Sequence, residues 1–280
     1  MGNVRFVRQN NNAGRKLPTS SQTFPRITNG NAFYSGAPAL VQDASFPMSN
    51  ALLPDRSASI WVNPAGLTNF NGADTILEID LGSLKTIYAH GIFGVLAFTP
   101  GAFPSSYFFE YLPGTTTYST VGWIQTPVTS FATRRDAGVV LASPVSARYV
   151  RFKIVAVIQG NGFSLASLVV AQGITDLGFL YARASETIVQ PKTVIEGYGR
   201  LPTITRTGVP FRRWELQYPN NDRATRDIFD GLMSETVSFT YIDPDDRFWE
   251  CVVDGEEFMR EHIWAPPDRF AFSFLMRSLP

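Results

Sequence analysis

The sequence predicts a mainly β protein: a jelly-roll β-sandwich in the middle of the chain, followed by a second β-sandwich or α+β domain with one short helix. Three observations support this fold class. Apolar and polar residues alternate in short runs, which is the period of a half-buried strand. Clusters rich in glycine, proline and serine separate these runs. No long run with helical periodicity occurs before residue 220, so strands are expected to build the middle region.

Two runs define the strands of the middle region. In TILEIDL (75–81), residues 77, 79 and 81 are apolar and fall on one side, whereas residues 76, 78 and 80 fall on the other. In YVRFKIVAV (149–157), Arg151 and Lys153 alternate with apolar residues. Because side chains of a strand point alternately to its two faces, each run predicts one face packed on a core.

A single helix is predicted after residue 220. The strand-like run FRRWELQY (211–218) precedes it, and Asn221 or Asp222 is placed to cap its first turn. An apolar stripe at spacings of four would face the core. That stripe consists of Ala224, Ile228 and Leu232, with Phe229 beside it.

Strand patterns return after the helix and continue to the end of the chain. They are SFTYI, RFWECVV, EFMREHI and RFAFSFLMR. The last run places its aromatic residues on one face, together with a methionine. These residues are Phe270, Phe272, Phe274 and Met276. A strand, a helix and an antiparallel meander make an α+β or helix-decorated sandwich.

The charge distribution predicts the domain boundaries. Residues 1–30 contain basic but no acidic residues, residues 30–130 contain only eight charged residues, and residues 201–280 contain 23. We therefore predict a basic polar arm (1–32), a jelly roll (33–172), a linker (173–199) and a C-terminal domain (200–280). The arm is expected to be flexible alone and to become ordered against a neighbouring molecule.

Composition excludes several classes of function. The formal net charge is zero, which argues against nucleic acid as the main partner, because phosphate binding favours a basic excess. A single cysteine, Cys251, cannot form an intrachain disulfide framework, so assembly in a reducing compartment is expected. The most apolar run, 87–98, is too short for a membrane helix, and no membrane insertion is predicted.

The stretch FTYIDPDDRFWECVV (239–253) places three aspartates between two apolar runs. An acidic catalytic or metal site would need further ligands from elsewhere, and the sequence offers no recognisable set. Aspartate and proline favour turns, because one hydrogen-bonds the backbone and the other fixes φ. The stretch therefore predicts a hairpin with a structural turn.

Other reactive residues are predicted to be structural. Cys251 lies in an apolar strand pattern, which favours a buried inert thiol over a nucleophile paired with His262. His90 lies in an apolar run and is expected to be a satisfied core histidine. The acidic stretch 254–262, with Glu256 and Glu257, is expected to be a solvated turn or a subunit-facing set of charges. No catalytic residue, metal site or cofactor is predicted.

Aromatic residues near turns give a different kind of candidate. Trp61, Phe70 and Trp123 lie next to turn-forming residues, where rings can stack on the apolar faces of sugars. Arg134 and Arg135 would supply hydrogen-bond donors. The alternative is ordinary packing beneath long loops, or contact with another subunit.

The middle region resembles the discoidin (F5/8 type C) family, whose fold is the galactose-binding-like jelly roll. ILEIDLGSLKTI (76–87), SPVSARYVRFKIVAV (143–157) and SLASLVVA (164–171) carry the resemblance, which covers residues 33–171. It implies a carbohydrate-binding domain, but the bracketing cysteines of extracellular members are missing. The binding loops of this family vary widely, so the resemblance implies no particular sugar.

The C-terminal region resembles the minor tail and distal-tail hub proteins of long-tailed bacteriophages. The pattern is PFRRWELQY, a short helix, VSFTYIDPDDRFWECVV and a final Phe-rich strand, over residues 200–280. The resemblance implies a ring-forming β-sandwich at the tail tip. Arginine is the basic residue throughout this region and suits bidentate subunit contacts. The predicted interface residues are Arg5, Phe6, Arg8, Arg212, Arg213, Arg223 and Arg226.

Together these features predict a structural virion protein, in which a carbohydrate-binding domain decorates a tail-tip ring of roughly three or six copies. Its partners would be other copies, other tail proteins and a glycan on the host surface, and it would assemble in the host cytoplasm. Many copies would multiply weak contacts through avidity. The first alternative is a stand-alone lectin-like protein. The second is a glycan-degrading enzyme that uses Asp243, Asp245, Glu256 or Glu257, with two carboxylates held across a cleft.

Overall fold

The computed structural model describes residues 3–8, 26–29, 61–63, 75–97, 104–131, 136–155, 163–177, 183–195, 203–206, 208–233, 238–254, 260–263 and 269–279. Up to residue 177 its strands are β1 (Arg5–Val7), β2 (Arg26–Asn29), β3 (Trp61–Asn63), β4 (Thr75–Phe93), β5 (Leu96–Ala97), β6 (Ser106–Pro113), β7 (Ile124–Gln125), β8 (Thr129–Ser130), β9 (Ala137–Val155), β10 (Phe163–Leu165), β11 (Ser167–Ala171) and β12 (Thr175–Asp176). The elements that follow are β13 (Arg183–Val189), β14 (Lys192–Ile195), β15 (Thr203–Arg206), β16 (Phe211–Asn221), the helix α1 (Arg223–Met233), β17 (Phe239–Ile242), β18 (Phe248–Val253), β19 (Arg260–Ile263) and β20 (Arg269–Ser278).

The predicted fold class is confirmed: the protein is mainly β, and the described residues contain one helix. Its two large sheets are antiparallel, with eight strands in one and seven in the other, and two smaller sheets accompany them. Among the described residues, no helix is long and apolar enough to cross a membrane.

The first unit (residues 26–171) contains the seven-stranded sheet. Its strand order is β11-β4-β9-β6-β7, with β2 beside β4 and β8 beside β6. A three-stranded sheet, β3-β10-β5, contributes Leu165 to the same hydrophobic core. The long pairing of β4 with β9 places Leu77 opposite Phe152 and Ile79 opposite Val150, all buried. The predicted core face of both strands is thus confirmed.

The second unit is an eight-stranded sheet with α1 on one face. Its order is β12-β1-β17-β18-β20-β16-β13, and β19 pairs with β20. The oxygen Oδ1 of Asp222 accepts a hydrogen bond of 2.8 Å from the backbone N–H of Thr225, so the predicted cap is confirmed at Asp222. Residues Phe229 and Leu232 pack from the helix into a core that also contains Trp214 and Phe274.

The predicted helix stripe is corrected at one position. Ala224 is exposed, whereas Thr225 is buried and takes its place on the packed face. The face therefore runs through residues 225, 228, 229 and 232, which is the i, i+3, i+4, i+7 spacing of a helix with 3.6 residues per turn. Spacings of four alone drift around such a helix, and Ala224 lies beyond the edge of the stripe.

The predicted arm and linker both contribute strands to the second unit. Strand β1 lies between β12 and β17, pairing Phe6 with Thr175 and with Tyr241. Strands β12 and β13 both lie in the predicted linker, and β13 pairs with β16 along seven residues. Segment 5–7 is therefore ordered against its own chain. Because β1 precedes the first unit and β12 follows it, the first unit stands as an insertion between two neighbouring strands of the second.

A third hydrophobic cluster joins the two units. It combines residues from β4 and β11 of the first unit with residues from β1, β17 and β18 of the second. The ring of Phe248 packs where Gly91 and Gly138 face each other on β4 and β9. A Cβ on Gly138 would lie 2.5 Å from that ring, so glycine is needed for this close approach.

Candidate functional site

The face of the seven-stranded sheet opposite the core carries a row of charged residues. Arg151 on β9 lies between Glu78 on β4 and Glu110 on β6, each directly opposite it in register. Its guanidinium donates from Nε to Glu110, and its Nη1 lies 3.7 Å from Glu78 Oε1. Both carboxylates are almost fully buried. Opposite charges on adjacent strands stabilise the pairing, and burial makes each partner costly to remove.

Trp123 covers this row from the loop between β6 and β7. The Arg151 guanidinium carbon lies 4.2 Å from the centroid of its ring, a cation–π contact. The indole Nε1–H donates to the carbonyl of Ser119 at 3.1 Å, and the rings of Tyr118 and Trp123 make a T-shaped contact. Three contacts therefore fix the indole, while the side chain remains only half-buried.

Tyr118 links the loop to the acidic residues below. Its hydroxyl lies 3.3 Å from both carboxylate oxygens of Glu78, and its ring packs edge-on against Tyr149. We call Trp123, Tyr118, Arg151, Glu78 and Glu110 the Trp123 cluster.

A second ion pair holds the start of the same loop. Arg148 donates to both oxygens of Asp80 at 2.8 and 2.9 Å, and to the carbonyl of Thr116 at 3.0 Å. The hydroxyl of Tyr149 also donates to that carbonyl. The hydrogen bond with Asp80 raises the pKa of Arg148, and desolvation raises the pKa of Tyr149. The loop is thus fastened to the sheet by charged residues that are already paired.

Exposed uncharged residues adjoin Trp123 in the sequence, and the partly exposed Lys153 lies two residues from Arg151 along β9. Val121 and Ile124 flank Trp123 with 70% and 45% exposure. Gln125 beside them is exposed and carries an amide that can both donate and accept hydrogen bonds. The arrangement can therefore offer an aromatic face, an apolar rim and an amide to a ligand.

The other predicted sugar-binding residues are not brought to this cluster. Trp61 begins β3 and pairs with Leu165 in the three-stranded sheet, so it lies in a strand. Phe70, Arg134 and Arg135 lie outside the described residues. Their predicted role stays a prediction, as does that of Trp123.

The predicted interface arginines are largely engaged within the chain. Arg5 pairs with Asp246, and Arg8 donates to the carbonyl of Gly231 in the last turn of α1. Arg212 stacks on Trp249 and pairs with Glu186. Arg213 pairs with Asp254. Arg226 pairs with Asp227 and Asp230. Arg223 is exposed at the first position of α1.

Phe6 requires a correction. It is fully buried and packs against Phe239, Tyr241 and Phe274 in the core of the second unit. It has no exposed surface for contact with another subunit, because β1 inserts it into the sheet as a core residue.

The aspartate stretch forms the predicted turn. The oxygen Oδ1 of Asp243 accepts hydrogen bonds of 2.9 Å from the backbone N–H groups of Asp245 and Arg247, and its Oδ2 accepts one from the indole of Trp249. Asp246 adopts a φ of 61°, in the left-handed region that aspartate tolerates in turns. Asp243 therefore acts as the internal brace of a hairpin.

The remaining reactive residues divide into described and undescribed ones. Cys251 is fully buried, as predicted. Glu256 and Glu257 lie outside the described residues, and nothing is described of the His262 side chain on β19. No group of three or more potential metal-ligating side chains occurs in the described part of the chain.

His90 is buried as predicted, but it is only partly satisfied. Its Nδ1 lies 3.0 Å from the hydroxyl of Tyr107, and its ring stacks on Phe109 at 4.4 Å. Among the described residues, Nε2 has no hydrogen-bond partner. Desolvation lowers the pKa of His90 to about 3 and raises that of Tyr107.

Sequence reasoning missed Arg151, Glu78, Glu110 and Tyr118. The alternation in 75–81 and 149–157 places charges on the face opposite the core, which was a usable signal. It did not reveal that a loop covers this face, nor the register that aligns Glu78 with Arg151.

The comparison with known proteins found similarity to solved structures but to no family model and no curated protein. Chitosan-binding module 1 from a chitosanase/glucanase of Paenibacillus sp. IK-5 is 18% identical, covering 52% of this chain and 93% of that one, with a TM-score of 0.38. The family 32 carbohydrate-binding module of C. perfringens NanJ, solved with galactose, is 16% identical over 54% and 100% of the two chains (TM-score 0.37). A Streptococcus pneumoniae fucose-binding module is 14% identical over 56% and 100% (TM-score 0.35).

These structural neighbours are carbohydrate-binding modules that match about half of the chain. At such identities and TM-scores, the likeness assigns no ligand to this protein. The predicted resemblance of residues 200–280 to tail-hub proteins stays a prediction.

Proposed function

We propose that this protein is a non-catalytic carbohydrate-binding protein and that the Trp123 cluster contributes its binding surface. The observation that carries the proposal is the state of the indole of Trp123. It is partly exposed, yet it is held by Arg151 stacked on its ring, by a T-shaped contact with Tyr118 and by a hydrogen bond at its nitrogen. A rigid aromatic face loses little conformational entropy when a sugar ring stacks on it.

The pairing of the described carboxylates supports binding over catalysis. Glycoside hydrolysis needs one carboxyl group to donate a proton and a second to act as nucleophile or base. Glu78, Glu110 and Asp80 are each engaged with an arginine, and Asp243 is engaged with its own turn. Each of these carboxylates is therefore held by an ion pair or a hydrogen bond, and that contact would have to be broken before the carboxylate could react.

We also propose that the protein is a structural subunit of the tail tip of a long-tailed phage, assembled in the host cytoplasm as a ring of roughly three or six copies. The second unit supports this proposal, because it contains the succession of elements expected from the resemblance. Strand β16 carries Trp214, α1 follows, β17 ends at the turn beginning at Asp243, and the aromatic strands β18 and β20 return. Other tail proteins and a glycan on the host would be its partners.

The sugar-binding proposal is tested by applying the full-length protein to a glycan array, together with the variants Trp123→Ala and Tyr88→Ala. Tyr88 is a partly exposed aromatic residue on β4 outside the Trp123 cluster and serves as the matched control. The wild type and Tyr88→Ala are expected to bind the same glycans, and Trp123→Ala to lose them. Absence of binding by the wild type, or equal binding by all three proteins, would contradict the proposal.

The ring proposal is tested by measuring the solution mass of the full chain by light scattering. Removing residues 1–30 would be unsuitable, because it deletes β1 from the second sheet. The substitution Arg223→Glu instead reverses a charge at an exposed position. We expect a closed oligomer that this substitution weakens. A monodisperse monomer at high concentration would leave sugar binding as the proposed function and count against the ring.

A further inference from the structure

We infer that the two units form one rigid and cooperative body, in which the first unit is a fixed projection of the second and not a tethered domain. The inference concerns how the units are coupled, and it holds whether or not a ligand is bound. Two units of one chain are expected to move relative to each other unless their interface is extensive and apolar. The contacts between them therefore decide whether they move independently.

The connections between the units are short or anchored. Only residues 172–174 lie between β11 of the first unit and β12 of the second. One of them, Ile174, packs against the third hydrophobic cluster. On the other side, Arg8 follows β1 and donates from Nη2 to the carbonyl of Gly231 on α1 at 3.2 Å. The chain therefore leaves the second unit from a residue tied to α1 and returns to it through a packed one.

Phe248 on β18 acts as a wedge against the backbone of the first unit. Its ring packs at Gly138 on β9 and reaches Gly91 on β4, where a Cβ would lie 2.5 Å and 3.6 Å from ring atoms, respectively. Phe248 is only 2% exposed. Because protein interiors are close-packed, a ring seated against two paired strands resists sliding or tilting of one unit over the other.

Glu250 adds a directional contact beside this wedge. It lies two positions from Phe248 along β18, on the same face of the strand, and it is buried. Its Oε2 accepts a hydrogen bond of 3.0 Å from the hydroxyl of Ser167 on β11, and its Oε1 accepts one of 2.6 Å from Ser238 in the second unit. The carboxylate is thus shared between the units. Displacing one unit would remove a donor from a buried carboxylate, which is unfavourable.

Two strands contribute side chains to more than one hydrophobic cluster. From β1, Phe6 packs in the core of the second unit and Val7 in the third cluster. From β11, Leu168 packs in the core of the first unit and Val169 in the third cluster. Loss of structure in either unit therefore removes packing that the other unit shares. A ligand that binds only the folded first unit would consequently also stabilise the second.

The test is hydrogen exchange of the full-length protein without ligand, read by mass spectrometry under conditions in which exchange reports the opening equilibrium. Phe274→Ala damages the second unit, in whose core Phe274 is fully buried. We expect the slowest amides of β4 and β9 to exchange faster by the same factor as those of β16 and β17, about a hundredfold or more. Ser143→Ala, at an exposed position of β9, is the control and is expected to leave both units unchanged.

Faster exchange confined to the second unit would overturn the inference, because independent units would not transmit the damage. A double variant then locates the coupling. In the Phe248→Ala background, adding Phe274→Ala is expected to accelerate exchange in the second unit and to leave β4 and β9 unchanged. Equal acceleration of both units in the double variant would show that Phe248 does not couple them. If circular dichroism shows that Phe274→Ala is unfolded, Phe274→Leu replaces it in both comparisons, with an expected factor of about ten.

Discussion

His90 provides a test of the core of the first unit through the pH dependence of stability. It is fully buried among aromatic side chains, with Tyr107 as the hydrogen-bond partner of Nδ1 and Phe109 stacked on the ring. Desolvation by burial is the cause of its pKa of about 3. A protonated imidazole is therefore strongly disfavoured in the folded state, whereas the unfolded chain protonates near pH 6.5.

The sign and size of the effect follow from this difference. Between pH 6.5 and about 3, the unfolded chain binds a proton that the folded chain does not, so the free energy of unfolding falls as the pH is lowered. With pKa values of 6.5 and about 3, His90 alone removes about 2 kcal/mol of stability between pH 7 and pH 5. The loss reaches about 3 kcal/mol at pH 4. Below pH 3 both states are protonated, and this contribution becomes constant.

The perturbation that isolates this effect is His90→Gln, which keeps a polar group near Tyr107 but cannot titrate. Urea unfolding of both proteins at pH 7 and pH 5, followed by fluorescence, gives two free-energy differences. The other titratable groups change the free energy of unfolding of both proteins by similar amounts, so their contributions largely cancel when the two losses are compared. The wild type is expected to lose about 2 kcal/mol more than the variant. Equal losses in the two proteins, or an NMR titration of His90 centred near pH 6.5, would refute the reasoning.

Two further predictions concern packing and capping. Gly138→Ala should lower the free energy of unfolding, measured in urea, by about 1–3 kcal/mol, because the new Cβ overlaps the ring of Phe248. The control is Ser143→Ala, at an exposed position of the same strand. An effect no larger than that of the control would show that Phe248 does not pack against Gly138. Asp222→Ala should cost about 1 kcal/mol in thermal or urea unfolding by removing the hydrogen bond to Thr225, and Asp222→Asn should restore most of it; equal stability of the two variants would contradict the capping role.

Local structure could be predicted from the sequence where one residue or one period determines it. The alternation of 75–81 identified the strand and its core face, and the turn at Asp243 followed from the backbone preferences of aspartate and proline. The cap at Asp222 followed for the same reason. The helix stripe was wrong at one position, because the i, i+3, i+4, i+7 spacing of the packed face falls on Thr225 and leaves Ala224 exposed.

Long-range pairing could not be predicted, because it depends on register between distant segments. Strand β1 looks like part of a basic polar arm, and only its partners on β12 and β17 make it a strand of the second sheet. The Trp123 cluster is similar: Glu78 and Arg151 are 73 positions apart, and their alignment depends on the pairing of β4 with β9. The sequence of β11 also does not reveal how it packs. All five of its residues are buried, because its two faces contribute to different hydrophobic cores.

The construction of the Trp123 cluster determines which substitution can test it. Removing Arg151 would leave Glu78 and Glu110 buried without their shared cation, and breaking a buried ion pair in this way costs about 3–5 kcal/mol. Loss of sugar binding in Arg151→Ala would therefore not separate a binding role from partial unfolding. Trp123 lies at the surface of the cluster and leaves the ion pairs intact when it is shortened. The structure thus makes Trp123, and not the charged residues beneath it, the informative position for measuring recognition.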